Sequence, residues 1–342
     1  MNRNLFLPCI LVFASLSTFA QQPDAHTLQE TAKTFTRQGD YANAIVVLTG
    51  AVQKDPQNIE LLKDLSFNYY LQRDYGKGLN IARSLTERPD ADVQCYQMTG
   101  LFYKAIDDPK ECEKLYRAGL KRFPRSGVLY NEYGEMLYAR QDNAAIKQWE
   151  KGIEIDPNYS SNYYNAAKYY FLTSDKVWSI LYGETFVNLE SYSKRTAEMK
   201  NFLLESYKKL FADGDVLKNQ NSKSPFVAAY LNVLSKESPA VAQGITTENL
   251  IVLRTKFILT WFEKYPPTGS FPFRLFDYQR QLLKDGLFDA YNQWIFGAAE
   301  NLSGFQAWTT AHSDEYSRFT NFQKGRIFKL PEGQYYQTAY SK

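Results

Sequence analysis

The stretch Val93–Pro124, VQCYQMTGLFYKAIDDPKECEKLYRAGLKRFP, decides the fold. Tyr96, Thr99, Gly100 and Tyr103 fall at i, i+3, i+4 and i+7, which is one face of a helix. Asp107-Asp108-Pro109 breaks that helix, and Cys112, Leu115, Tyr116 and Gly119 form a matching face on a second one. Two antiparallel helices at close spacing need small residues where they approach. Gly100 facing Cys112 is expected to supply that contact, with Tyr96 and Tyr116 filling the wider ends.

The same grammar recurs on both sides of this stretch. Small residues stand at Ala32, Ser66, Gly100, Gly134 and Ala167, at steps of 34, 34, 34 and 33. Bulky ones follow three positions later at Phe35, Tyr69, Tyr103, Leu137 and Tyr170. A second small set, Ala44, Gly78, Cys112, Ala145 and Ser179, keeps the step, and Pro56, Pro89, Pro124 and Pro157 close the units. Gln38-Gly39-Asp40-Tyr41 and Arg73-Asp74-Tyr75 read as the turns inside hairpins. Unrelated amphipathic helices would not hold this register through five units.

This pattern resembles the tetratricopeptide (TPR) repeat. The resemblance implies an all-α chain: a TPR helical-hairpin superhelix of about five repeats, followed by a second helical domain. It also implies a concave groove lined by the first helix of each pair, with groove residues at the second, fifth, ninth, twelfth and thirteenth repeat positions. Here those positions hold Lys63, Phe67, Tyr70, Gln97, Leu101, Lys104, Asn131, Glu135, Tyr138, Tyr164, Lys168 and Phe171. Aromatic rings among mixed charges suit an extended peptide or an amphipathic helix. Each ring also has a second reading, packing between repeats. One TPR subtype grips a terminal carboxylate with lysine, asparagine and arginine on successive first helices. Lys33 and Arg37 are present, but no asparagine follows in register, so that clamp is not expected.

Read from its start, the chain opens with Arg3, an apolar run from Leu5 to Phe19, and Thr18-Phe19-Ala20, a pattern that a signal peptidase reads. Residues 1–20 are therefore expected to be a signal peptide, and the mature protein to begin at Gln21, periplasmic or extracellular. Pro8 precedes Cys9 where a lipoprotein carries a small residue, so lipidation is not expected. Cys95 and Cys112 should differ in height by about a turn as well as by a helix spacing, beyond disulfide reach, and are read as buried thiols. The net charge is +3 with both signs interspersed, which gives no basic block for nucleic acid or anionic lipid.

The remaining segments are assigned by period and breakers. Residues 24–190 are the repeat array, with a fifth unit that lacks the usual turn and closing proline. Residues 191–224 form a capping helix, about Ala197 to Leu210, and a linker. Residues 225–342 form a C-terminal helical domain, in which Leu250, Leu253, Phe257, Ile258 and Trp261 share one face. Arg254, Lys256 and Glu263 make that helix a core element rather than a transmembrane span. Leu287 to Ala298 is expected as one helix and Phe305 to Lys324 as another, capped by Asn301. The tandem layout is similar to exported TPR proteins of Bacteroidetes-type bacteria.

Catalytic residue types are sparse. The chain has two histidines, His26 and His312, and no glycine-rich phosphate loop, nucleophile elbow or Cys-x-x-Cys. No third ligand joins His312 and Glu315, so neither a metal nor a cofactor is expected, and the chain is not read as an enzyme. The function expected is an exported scaffold that binds a protein or peptide partner in its groove, within an envelope or secretion assembly. Two alternatives stay open: a glycan-binding protein using clustered tyrosine and tryptophan, and an enzyme acting through His312, Asp314 and Glu315.

Overall fold

The structure, a computed structural model, describes residues 23–218, 220 and 223–337. The expected signal peptide, its cleavage after Ala20, and Cys9 lie outside the described residues. Among the described residues the chain is all-α, built of consecutive antiparallel helical hairpins with further helices after them. It divides into two compact units, one ending at Arg88 and one starting at Pro89.

The first unit holds two hairpins: α1 (Ala25–Arg37), α2 (Tyr41–Lys54), α3 (Ile59–Leu71) and α4 (Tyr75–Glu87). Its core is Ala32, Ala44, Ile45, Leu48, Ala51, Leu61 and Leu65, with Phe35 and Tyr69 packed against it. Ala32 and Ala44, the small residues that the ladder places in this core, are fully buried, as the spacing requires.

The second unit opens with three hairpins: α5 (Val93–Ala105) with α6 (Pro109–Arg122), α7 (Gly127–Ala139) with α8 (Ala145–Ile155), and α9 (Ser160–Leu172) with α10 (Lys176–Leu189). Cys112 Sγ lies 3.9 Å from the Gly100 carbonyl oxygen, as expected. Tyr116, however, does not fill a wider end of the hairpin. A Cβ on Gly100 would meet its hydroxyl at 2.0 Å, one on Gly119 would meet Tyr96 at 2.8 Å, and one on Gly134 would meet the Trp149 indole nitrogen at 2.3 Å. These glycines are small because an aromatic ring of the partner helix lies directly over them. Cys95 and Cys112 are both buried, and burial pushes the Cys112 thiol up to about 11.

A second periodic set, polar and invisible to hydrophobic spacing, fixes the helix ends. Asp24, Asn58, Asp92 and Ser126, at steps of 34, accept from backbone N–H groups in the first turns of α1, α3, α5 and α7. Asp40, Asp74 and Asp108 do the same for α2, α4 and α6. Each follows a turn residue in the left-handed region: Gly39 at φ 80°, Arg73 at 66° and Asp107 at 54°, with Gln141 at 59° in the next hairpin. The three that are not glycine carry a steric cost that the turn hydrogen bonds offset. Asp74 N–H, for example, donates to the Tyr69 carbonyl at 2.9 Å, and Asp108 N–H to Tyr103 at 2.9 Å.

After the hairpins come α11 (Lys194–Phe211), α12 (Pro225–Glu237), α13 (Thr247–Lys264) and α14 (Arg274–Lys284). α10 is buried from Lys176 to Asn188, because these later helices wrap the side that α9 leaves open. The expected helix from Leu287 to Ala298 is present as an unbroken run, α15 (Phe288–Asn292), a π-helical turn (Gln293–Gly297) and α16 (Ala298–Glu300), and the π turn is the feature periodicity did not give. The expected last helix is two, α17 (Leu302–Ala311) and α18 (Ser313–Gly325), broken at His312. Its backbone leaves the helical region there (φ −117°, ψ 38°) while its ring stacks on Trp308 at 4.4 Å, a local competition that periodicity does not reveal. Asn301 caps α17 as expected.

From Arg326 to Gln337 the chain has no regular secondary structure apart from one turn at Glu332–Gly333. It runs back over earlier helices of the same unit, with Phe328 and Leu330 buried.

Candidate functional site

The first helices carry the residues singled out by repeat position, and the structure connects many of them. In the first unit, α1 and α3 are linked by polar side chains: Gln29 donates to Asp64 at 2.7 Å and Thr36 to Asn68 at 2.8 Å. Burial pushes the Asp64 carboxyl up, against the Gln29 hydrogen bond. Lys63 is not presented to solvent. Its side chain is 4% exposed and its ammonium pairs with Glu60 at 2.8 Å. Phe67 is 41% exposed and stacks on the half-buried Tyr70 with ring centres 6.4 Å apart.

In the second unit, α5, α7, α9 and α11 form a ladder of side-chain bonds. Gln97 donates to Glu132 at 3.3 Å and Lys104 pairs with it at 2.7 Å. Desolvation lowers the Lys104 ammonium, but Glu132 outweighs it and the net shift is upward. The buried Asn131 donates to the exposed Glu135 at 2.9 Å, and Asn165 donates to both, at 2.8 Å and 3.2 Å. On the next rung Tyr164 and Lys168 converge on Glu198, at 2.6 Å and 2.8 Å. Arg195 lies over the Tyr164 ring at 5.1 Å. Phe171 meets Phe202 edge-on at 4.8 Å, with Lys209 above it at 3.7 Å. Leu101 is half-buried, and Tyr138 is 46% exposed while resting 5.6 Å from Trp149.

The repeat positions missed Glu132, Asn165, Arg195, Glu198 and Phe202. A usable signal existed, because the partners stand one repeat apart: Asn131 with Asn165 and Tyr164 with Glu198 by 34 residues, Gln97 with Glu132 by 35. Searching one repeat ahead of each first-helix polar residue for its complement finds them. The ladder offers a stiff floor of amides, carboxylates and ammonium groups, with aromatic rings at its edges. Its chemistry is that of a surface that accepts hydrogen bonds and packs rings.

A second zone in this unit already holds main chain of the segment 326–337. The Asn158 amide makes a reciprocal pair with Leu330, donating to its carbonyl at 3.1 Å and accepting from its N–H at 2.9 Å. Gln337 donates to the Tyr170 hydroxyl at 2.8 Å, and Tyr170 donates to the buried Glu150 at 2.7 Å. Tyr336 stacks on Phe226 at 4.4 Å, and Arg125 pairs with Glu332.

Deeper in the unit, Glu184 on α10 pairs with Arg254 on α13 and accepts from Gln279 and from the Tyr291 hydroxyl, the latter at 2.8 Å. Asn188 donates to Tyr291 at 2.7 Å. Glu184 and Arg254 are 2% and 4% exposed, and the cavity beside them, about 10 Å³, is near the size of a single water. That space is too small for a substrate, so the cluster is a structural tie. His312 Nδ1 lies 3.0 Å from the Trp308 carbonyl oxygen within its own helix pair. Among the described residues no three His, Cys, Asp or Glu side chains converge as a metal site, and no helix is long and apolar enough to cross a membrane.

No family model matches the chain, and no curated protein does. Among solved structures, similar ones include TTC0263, a thermophilic TPR protein in Thermus thermophilus, at a TM-score of 0.44 and 12% identity. That match covers 53% of this chain and 99% of TTC0263. MamA of AMB-1 follows at 0.35 and 17% identity, covering 51% of this chain and 96% of MamA. MamA of MSR-1 stands at 0.33 and 16%, covering 51% and 95%.

Proposed function

We propose that this chain is a helical-repeat scaffold that binds an extended segment of a protein partner along its first-helix faces. One observation supports the reading: the turn between α8 and α9 of the second unit already holds non-helical main chain, through the two-way bond between Asn158 and Leu330. A side-chain amide that reads a backbone N–H and C=O together suits any peptide sequence, so the neighbouring rings would supply selectivity. Phe67 and Tyr138, with the half-buried Tyr70 and Tyr164, are the rings offered on first helices.

The proposal includes export, supported by the signal-peptide pattern of residues 1–20, and an envelope or secretion assembly as the setting. Intact mass of protein from the envelope fraction tests this part, with a mature start at Gln21 expected. Crosslinked capture with mass spectrometry on the mature protein in its native host identifies the partner. Changing Phe67, Tyr70 and Tyr138 to alanine should weaken capture strongly, since aromatic anchors cost about 2 kcal/mol or more each on truncation. Undiminished capture would remove these faces from the proposal, and loss of helix content would reassign the rings to the core.

A further inference from the structure

A separate cleft of about 360 Å³ lies where the loop 191–193 and the start of α11 face α16. That volume falls in the range of small-molecule sites, roughly 300–1,000 Å³. Tyr192, Thr196, Lys200, Asn201 and the methyl groups of Ala298 and Ala299 line it. The Lys200 ammonium sits 3.8 Å from the centre of the Trp294 ring. That ring is its one described contact of charge: among the described residues no carboxylate and no carbonyl accepts from it.

Four other partly buried cations of the unit do have a carboxylate partner. Lys104 has Glu132, Lys168 has Glu198, Arg195 has Glu190 and Arg254 has Glu184. The titratable groups around the cleft are already engaged. Glu190 serves Arg195, Glu198 serves Lys168 and Tyr164, Glu300 accepts from Thr247, and the Tyr192 hydroxyl donates to Gln323. With only a ring face to offset desolvation, burial pulls the Lys200 amine down to about 7. Asn201, exposed beside it, has an amide with no described hydrogen bond. A desolvated cation beside a cleft, lacking a counter-ion, is half of an ion pair.

We propose that this cleft binds a small carboxylate-bearing molecule, whose carboxylate completes the ion pair with Lys200 while Asn201 donates a second hydrogen bond. The body of the ligand then rests against Tyr192. Nothing in this site depends on the partner-binding reading.

Titration calorimetry on the mature chain tests it, with acetate and benzoate as probes and benzamide as the neutral isostere of benzoate. Benzoate should bind, and benzamide should bind at least about ten-fold more weakly. Because the free amine titrates near 7 and binding needs its proton, affinity should fall about ten-fold from pH 6 to pH 8, with close to one proton taken up at pH 8. Lys200→Met should abolish benzoate binding, and Asn201→Ala should weaken it. Lys200→Met removes a desolvated charge and keeps the apolar stem, so the fold should survive, and the benzamide comparison needs no variant. Failure of both carboxylates to bind at millimolar concentration overturns the proposal. So does equal binding of benzoate and benzamide, or undiminished binding by Lys200→Met.

Discussion

Gly134 and Glu184 stand for two ways of holding one unit together. Around Gly134 the decisive contacts are near neighbours in the chain: Trp149 lies over it and donates to Asn131 at a separation of 18 residues. Around Glu184 they are remote, with Arg254 70 residues away, Gln279 95 and Tyr291 107. The hairpins are a local solution repeated, so any one of them can be read from its neighbour. The later helices are a single solution used once, gathered about a buried charge that no period announces. Stability in the first region should therefore respond to volume, and in the second to charge.

The sharpest break is at Glu184. Glu184→Ala leaves the Arg254 guanidinium buried without its partner, and should cost about 3–5 kcal/mol in urea unfolding. The double change Glu184→Leu with Arg254→Met should recover most of that loss. If the single change costs no more than an exposed substitution, charge does not hold this region. Next comes volume. Gly134→Leu should cost at least about 1–3 kcal/mol, because a Cβ there already meets the Trp149 ring. Lys147→Leu, on an exposed position of α8, should stay within about 0.5 kcal/mol. Equal melting temperatures for the two would mean the ring does not cover the glycine.

A smaller effect sharpens the boundary between the regions. Asn158→Ala strips Leu330 of both backbone partners and should cost about 1–2 kcal/mol. Faster amide exchange should then be confined to residues 326–337, and unchanged exchange there would mean the amide pair does not hold the segment. The smallest effect tests the polar ladder of caps. Asp108→Ala should cost about 1 kcal/mol and Asp74→Ala a similar amount, since both accept the same first-turn N–H. Unequal costs would show that the repeat in sequence is not a repeat in energy.

These contrasts explain what was legible. Ala32, Gly100 and Gly134 announce the hairpins because a small residue is needed wherever the partner helix lays a ring or its backbone close by, and that need returns about every 34 residues. Spacing alone gives an incomplete reason for the glycines, since it shows that room is required and not what fills it. Asp40, Asp74 and Asp108 are equally periodic, but polar residues at turns are common enough to pass as solvent-facing. Glu184 reads as an ordinary helix carboxylate because its partners are set by tertiary folding. Lys200 gives no signal at all: its environment is made by Trp294 and α16, far along the chain. On the candidate face, repeat position singled out Tyr164, Lys168 and Phe171, which the structure joins to Glu198 and Phe202 of α11. It could not foresee that Lys63 turns to Glu60 and is covered, because position along a repeat fixes direction and not burial.

The bond between Asn158 and Leu330 also sets an order of events. A ribosome adds about 5–20 residues per second, so Leu330 is made some 172 residues after Asn158, roughly 10–30 s later. Until then Asn158 and Tyr170, and Phe226 once it is made, have no later segment over them and leave an amide, a hydroxyl and a ring uncovered. The seat is therefore open before the fold is finished, and the chain's own later residues are what fills it.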